Sequence, residues 1–155
     1  MSESVLIAYD GSPEARRAVE HAGRFLGCTT SYILTVWEPI HRQAARAAGA
    51  AGMPQADWIP DEDETDPAYA DAAQICREGV EVAAGVGITA QPYLVESETA
   101  VWSAIVDAAE ELGAGMLVTG TRGSSGLRSL LSASTAEAVL RNSGLPVFIV
   151  PPARH

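Results

Sequence analysis

At 155 residues, with 47% hydrophobic and 6% aromatic side chains, the chain has the size and composition of one globular domain able to bury a single core. Its 20 Asp and Glu against 10 basic residues give a formal charge of -10, which repels phosphate backbones and anionic membranes at long range and argues against nucleic-acid and membrane partners. Every basic residue is arginine, so there is no lysine for a Schiff base, an amine nucleophile or a P-loop.

The N-terminal segment MSESVLIAYDG lacks a basic leader, and no apolar stretch of about 18 residues occurs anywhere, so the expected location is the cytoplasm. Within that segment SVLIAYD is a short apolar run of the kind that forms a strand buried on both faces of a parallel sheet. GSP ends it and opens a helix, with Ser12 as cap, Pro13 in the first turn, Glu14 complementing the dipole and Gly27 stopping it. Ala15, Ala18, Val19, Ala22, Phe25 and Leu26 recur along this helix at the spacing of one face. TSYILTVW is the second strand. Residues 38–66 follow as an insertion rich first in alanine and arginine, then in proline, glycine and acids. Its length and composition predict mobility, either as a disordered connector or as a lid anchored by Trp58 and Ile59.

Asp66 and Pro67 open a second helix, and ITAQPYLV is a third strand in which Pro92, lacking a ladder donor, predicts a sheet edge. Ser97 is the expected cap of a third helix through Leu112; GMLVTG, SASTAEAVLRNSG and PVFIV then read as strand, helix and strand. Five strands alternating with helices predict a single α/β domain over residues 1–155: a doubly wound, Rossmann-like three-layer sandwich with a parallel sheet in the order 3-2-1-4-5. In that order the strand sequence reverses between strands one and four, and ligands in such sheets bind beyond the carboxyl ends of the strands at this switch point. Its walls are YDGS after strand one and GTRGSSG after strand four.

The glycines of the second wall, Gly120 and Gly123, admit close approach of backbone amides to an anion. Ser134 and Thr135, at the start of the fourth helix, add hydroxyl and amide donors where the helix dipole favours negative charge, so the expected ligand carries phosphate. Arg122 either neutralises that charge or is solvated, and Asp10 either serves the ligand or only caps the turn at Gly11 and Ser12. His21, His41 and His155 have no ligand spacing, and Cys28 and Cys76 stand outside any C-x-x-C pattern, so both residue types are read as structural or surface residues. No protein metal cluster and no set of catalytic residues is visible.

VLIAYDGS, then GTRG, nine residues to AST, and AEAVLRNSGLPVFIV to the end together resemble the nucleotide-binding type of universal stress protein, whose signature is G-x2-G-x9-G-[ST]. The resemblance spans nearly the whole chain apart from the insertion. It implies an ATP or other adenine nucleotide ligand with Mg2+ or Mn2+ held mostly by the phosphates, in a homodimeric stress-response regulator that acts on a further, unidentified protein partner. Asp10 would then face the ribose or the metal, Ala8 would line the adenine pocket and Val36 would meet the base through its backbone. Thr119, Gly120 and Gly123 would wrap ribose and phosphates, Ser134 and Thr135 would hold the β and γ phosphates, and Val147, Phe148, Ile149 and Val150 would pair with the same strand of a second subunit. Ala133 stands where the signature has its third glycine: it costs little if the backbone there begins an ordinary helix, and it is strained if φ must be positive. Slow ATP hydrolysis, a nucleotide-free dimer acting through protein contacts, and a ligand such as cyclic AMP are the alternatives this leaves.

Overall fold

A computed structural model of the chain describes residues 4–27, 30–39, 66–121 and 133–154. The elements in chain order are β1 (Ser4–Ala8), α1 (Pro13–Phe25), β2 (Ser31–Trp37), α2 (Pro67–Gly85), β3 (Ala90–Glu96), α3 (Val101–Leu112), β4 (Ala114–Gly120), α4 (Ala133–Ser143) and β5 (Val147–Val150). Of the insertion expected over residues 38–66, residues 40–65 lie outside the described residues, as do Cys28, Arg122 and Gly123.

The five strands form one sheet in the order β3-β2-β1-β4-β5, with every neighbouring pair parallel, as the alternation of strands and helices predicts. Helices α1 and α2 pack on one face and on each other; α3 and α4 do the same on the opposite face. Covering both faces leaves the central strands no polar side to show, which is why β1 and β4 read as unbroken apolar runs. Leu6, Ile7, Ile33, Leu34, Leu117 and Val118 are all buried at the centre of the core. Each such side chain contributes about 1.5–3 kcal/mol of burial.

Helix α1 starts as its sequence dictates. Ser12 Oγ accepts the Ala15 N–H at 3.1 Å, Pro13 occupies the first turn with Glu14 behind it, and Ala15, Ala18, Val19 and Ala22 face the sheet. Its far end carries His21, whose Nδ1 donates to the Arg17 carbonyl at 2.9 Å and whose ring lies beside Phe25. Cys76 is a buried filler on α2, its thiol donating to the Ile33 carbonyl at 3.2 Å.

Strand β3 lies at a sheet edge with Pro92 exposed, so the missing proline N–H breaks no ladder. The expected Ser97 cap is not found. Helix α3 begins at Val101 with Ala100 as N-cap and no side-chain cap bond. Ser97 instead donates its N–H to the Trp37 carbonyl at 2.7 Å, one rung beyond the end of β3.

Candidate functional site

The pleat decides which side chains meet at the switch point. Ala8 registers with Leu34 on β2, and Ile7 registers with Val118 on β4. Side chains alternate along a strand, so Ala8, Val36 and Thr119 share one face at the carboxyl ends of β1, β2 and β4. Gly120 fixes which face that is. A Cβ on Gly120 would lie 2.7 Å from the Glu14 carbonyl oxygen, so Gly120 points at the first turn of α1 and its neighbour Thr119 points away, toward the layer of α3 and α4. Ala8, Val36 and Thr119 are all buried.

Helix α4 arrives on that same face. It ends shortly before β5, which starts at the opposite edge of the sheet, and its 11 residues place Ala133 at the carboxyl edge. Ser134 and Thr135 therefore occupy the first turn of a helix whose amide end faces the switch point. No non-glycine residue among those described has positive φ, so Ala133 carries none of the strain that the glycine of the signature would have avoided. It is exposed and simply begins the helix.

Asp10 follows β1 directly. Its Oδ1 accepts the Ser12 N–H at 3.0 Å, which makes the turn through Gly11, while its Oδ2 is buried with no hydrogen-bond partner among the described residues. Of the two roles expected for this residue, Oδ1 carries the turn. The other oxygen is left over at the switch point. A buried carboxylate oxygen without a partner costs free energy and marks a place where a cation or a donor is favoured.

The preceding residue, Tyr9, points to the α1 and α2 face. Its hydroxyl donates to Glu78 on α2 at 2.7 Å, and its carbonyl accepts the Thr35 hydroxyl at 3.0 Å. Burial pushes the Tyr9 hydroxyl well above the usual phenol range, and the hydrogen bond to Glu78 and that carboxylate's charge push it further. Because the folded state holds this proton more tightly than the unfolded chain, stability is lost as pH rises above about 10, the phenol value in the unfolded chain. Urea titrations from pH 8 to 11 are expected to show the loss, and Tyr9→Phe is expected to flatten it.

Gly120 also serves the packing of this region: its missing side chain admits α1. Neither this packing nor the Tyr9 to Glu78 bond is legible in the sequence, because in each case the partners are distant in the chain. Thr121 continues from β4 by donating its N–H to the Val150 carbonyl at 3.1 Å. A cavity of about 330 Å³ lies away from the switch point, between α1 and α2, lined by Arg16, Glu20, Glu81 and Val86. Its charges are mixed, and Arg16 lies 3.8 Å from Glu20 in an exposed ion pair. Among the described residues there is no group of three or more His, Cys, Asp or Glu able to hold a metal, and no helix long and apolar enough to cross a membrane.

Comparison with known proteins agrees with this architecture. A family model described as the universal stress protein family matches residues 1–151. Among solved structures, a universal stress protein in complex with cAMP is 23% identical, with a TM-score of 0.64 and 96% of each chain covered. The Archaeoglobus fulgidus universal stress protein in complex with dAMP is 21% identical, with a TM-score of 0.60, covering 97% of this chain and 98% of that one. A universal stress protein family protein from Arabidopsis thaliana with AMP bound is 13% identical, with a TM-score of 0.63, covering 97% of this chain and 92% of that one. No curated protein sequence matches. With a family model matching residues 1–151, nearly its whole length, the chain belongs to the universal stress protein family.

Proposed function

We propose that this protein is a cytoplasmic regulator that binds an adenine nucleotide, ATP first among them, at the switch point between β1 and β4. The observation that carries the reading is Asp10, whose buried Oδ2 faces no partner among the described residues at the edge where Ala8, Val36, Thr119 and the first turn of α4 converge. The support from relatives is that three of similar fold are described in complex with cAMP, dAMP or AMP. In this reading Ala8 and Val36 border the base, Thr119 the ribose, and Gly120 with Ser134 and Thr135 the phosphates, joined by Arg122 and Gly123.

An Mg2+ or Mn2+ ion fits the same reading. A carboxylate oxygen with no other partner is a hard donor suited to such an ion, and the remaining ligands would come from phosphate and water. The ion would neutralise phosphate charge in a chain that already carries -10. The regulatory output runs through a homodimer and a further protein partner. Of the two sheet edges, β3 is interrupted by Pro92, whereas β5 has neither proline nor charge and leaves Ile149 39% exposed. An apolar open edge of that kind is a template for pairing with a second copy.

Calorimetry of the purified protein with ATP, AMP and cyclic AMP, each with and without magnesium, tests the reading. Saturable heat with an adenine nucleotide is expected; no heat with any of the three removes the proposal. Ala133→Gly is expected to leave nucleotide affinity within about threefold, because no backbone strain is there to be relieved. The same change lowers unfolding free energy by about 0.5–1 kcal/mol through the helix propensity of glycine. A tenfold gain in affinity would show that the alanine methyl obstructs the phosphates.

A further inference from the structure

Three of the four large apolar side chains that stand exposed among the described residues lie beside one edge of the sheet. Ile149 is on β5 itself, and Leu140 is 51% exposed on α4, which covers β5 from one side. Phe25 is 60% exposed on α1, which covers β4 and β5 from the other side.

The two flanks of α1 place Phe25. One flank faces α2: Arg16 and Glu20 border the groove between the helices, and Gly23 packs against Val86. Arg17, His21 and Phe25 recur at every fourth residue on the other flank, where Arg17 Nε donates to the carbonyl of Pro151, just past β5, at 3.2 Å. Helix and strand run in opposite directions. The four residues from Arg17 to His21, about 6 Å of helix, therefore step back about two strand residues and bring His21 level with the middle of β5.

An antiparallel pairing of β5 with the same strand of a second copy has its twofold axis at the strand middle, perpendicular to the sheet. That operation sets the two α1 helices side by side on one face of the joined sheet. With strands about 4.8 Å apart, a helix over β4 lies about 7 Å from the axis, so Arg17, His21 and Phe25 of both copies fill the space between the helices. His21 lies nearest the axis. Its Nδ1 is engaged with the Arg17 carbonyl at 2.9 Å, so an added proton enters at Nε2, on the far side of the ring. The ring packs beside Phe25, which the Arg24 guanidinium covers at 5.1 Å.

We propose that the α1 flank of Arg17, His21 and Phe25 is the helical part of a contact between two copies of this chain, and that protonation of His21 opens it. The inference rests on the homodimer of the reading above. The charged groups of α1 around His21 are Arg17 and Arg24, with Glu14, and with Glu20 on the α2 flank beside Arg16. Strands β4 and β5 bring no charged side chain, the segment after β5 brings Arg154, and the Glu137 to Arg141 pair of α4 lies beyond the sheet. Two imidazolium groups at the axis would thus meet each other and a surplus of arginine. Because the dimer disfavours the added proton, association is fullest above about pH 6.5, the ordinary histidine value, and is lost as pH falls through it. The charge of the whole chain acts in the opposite direction, since acid reduces the -10 that keeps two copies apart.

Sedimentation equilibrium of wild type, His21→Gln, His21→Arg and Phe25→Ser at pH 7.5 and pH 5.5, with melting temperature followed alongside, tests the switch. The wild-type dissociation constant is expected to rise about tenfold on acidification while the protein stays folded. His21→Gln, which takes up no proton there, should hold it within about threefold. His21→Arg, charged at both values, should be as weak at pH 7.5 as wild type is at pH 5.5, and it carries the test if His21→Gln does not fold. Phe25→Ser should weaken the dimer at both. A wild-type constant that stays level or falls in acid overturns the switch while the dimer stands, as does a His21→Gln protein that keeps the full rise. A Phe25→Ser dimer as tight as wild type removes α1 from the contact. A wild type that is monomeric at both values overturns the homodimer and the switch with it.

Discussion

Gly120→Ala is expected to lower the unfolding free energy by about 2–3 kcal/mol and the melting temperature by about 5–10 °C. The added Cβ would sit 2.7 Å from the Glu14 carbonyl oxygen, 2.9 Å from its carbon and 3.3 Å from the Ala15 nitrogen. All three are backbone atoms of the first turn of α1, so no side chain can rotate out of the way. The helix must lift from β4, and with it goes the turn that Asp10 and Ser12 build. Nucleotide affinity should therefore fall together with stability. Gly85→Ala serves as the control: that glycine ends α2 with open space around it, so the same added methyl should raise stability by about 0.5 kcal/mol through helix propensity. Denaturant titration of both variants decides the matter. A Gly120→Ala protein as stable as wild type would mean that α1 does not rest on this residue.

Asp10→Asn separates ligand binding from folding. The amide oxygen of asparagine can replace Oδ1 in the bond from the Ser12 N–H, so the turn survives and stability should stay within about 1 kcal/mol of wild type. What disappears is the charge on Oδ2, the buried oxygen with no partner among the described residues. Affinity for ATP with magnesium is expected to drop about tenfold to a hundredfold, and affinity for ATP in a chelator much less, since only the metal-loaded ligand offers that oxygen a cation. Calorimetry under the two conditions gives both numbers. Equal losses with and without metal would assign Asp10 to the ribose; no loss in either would leave it only its role in the turn.

The elements were legible because their signals are local. Ser12, Pro13 and Glu14 announce α1 within one turn, and the apolar runs SVLIAYD and GMLVTG could only be strands buried on both faces. Pro92 even marked its strand as an edge, since a missing N–H is tolerated only there. Ser97 shows where local signals fail. A serine ahead of an apolar helix has the chemistry of a cap, yet the helix begins at Val101 with Ala100 in the cap position, and Ser97 extends the strand ladder by a bond to Trp37. For Asp10 the sequence leaves a turn and a ligand role open, and the structure shows one carboxylate oxygen in the turn and the other without a hydrogen-bond partner among the described residues.

By itself the sequence determined the order and type of the elements, the doubly wound sheet, and the switch point between β1 and β4, because periodicity, caps and the rules of strand connection act between near neighbours. Only the tertiary structure decided that Gly120 leaves room for α1, that Tyr9 is tied to Glu78, and that Ala133 begins a helix without strain. Those outcomes depend on how closely the helix layers approach the sheet and on the backbone angle at one residue. Residue types along a chain do not encode such distances until the core has packed.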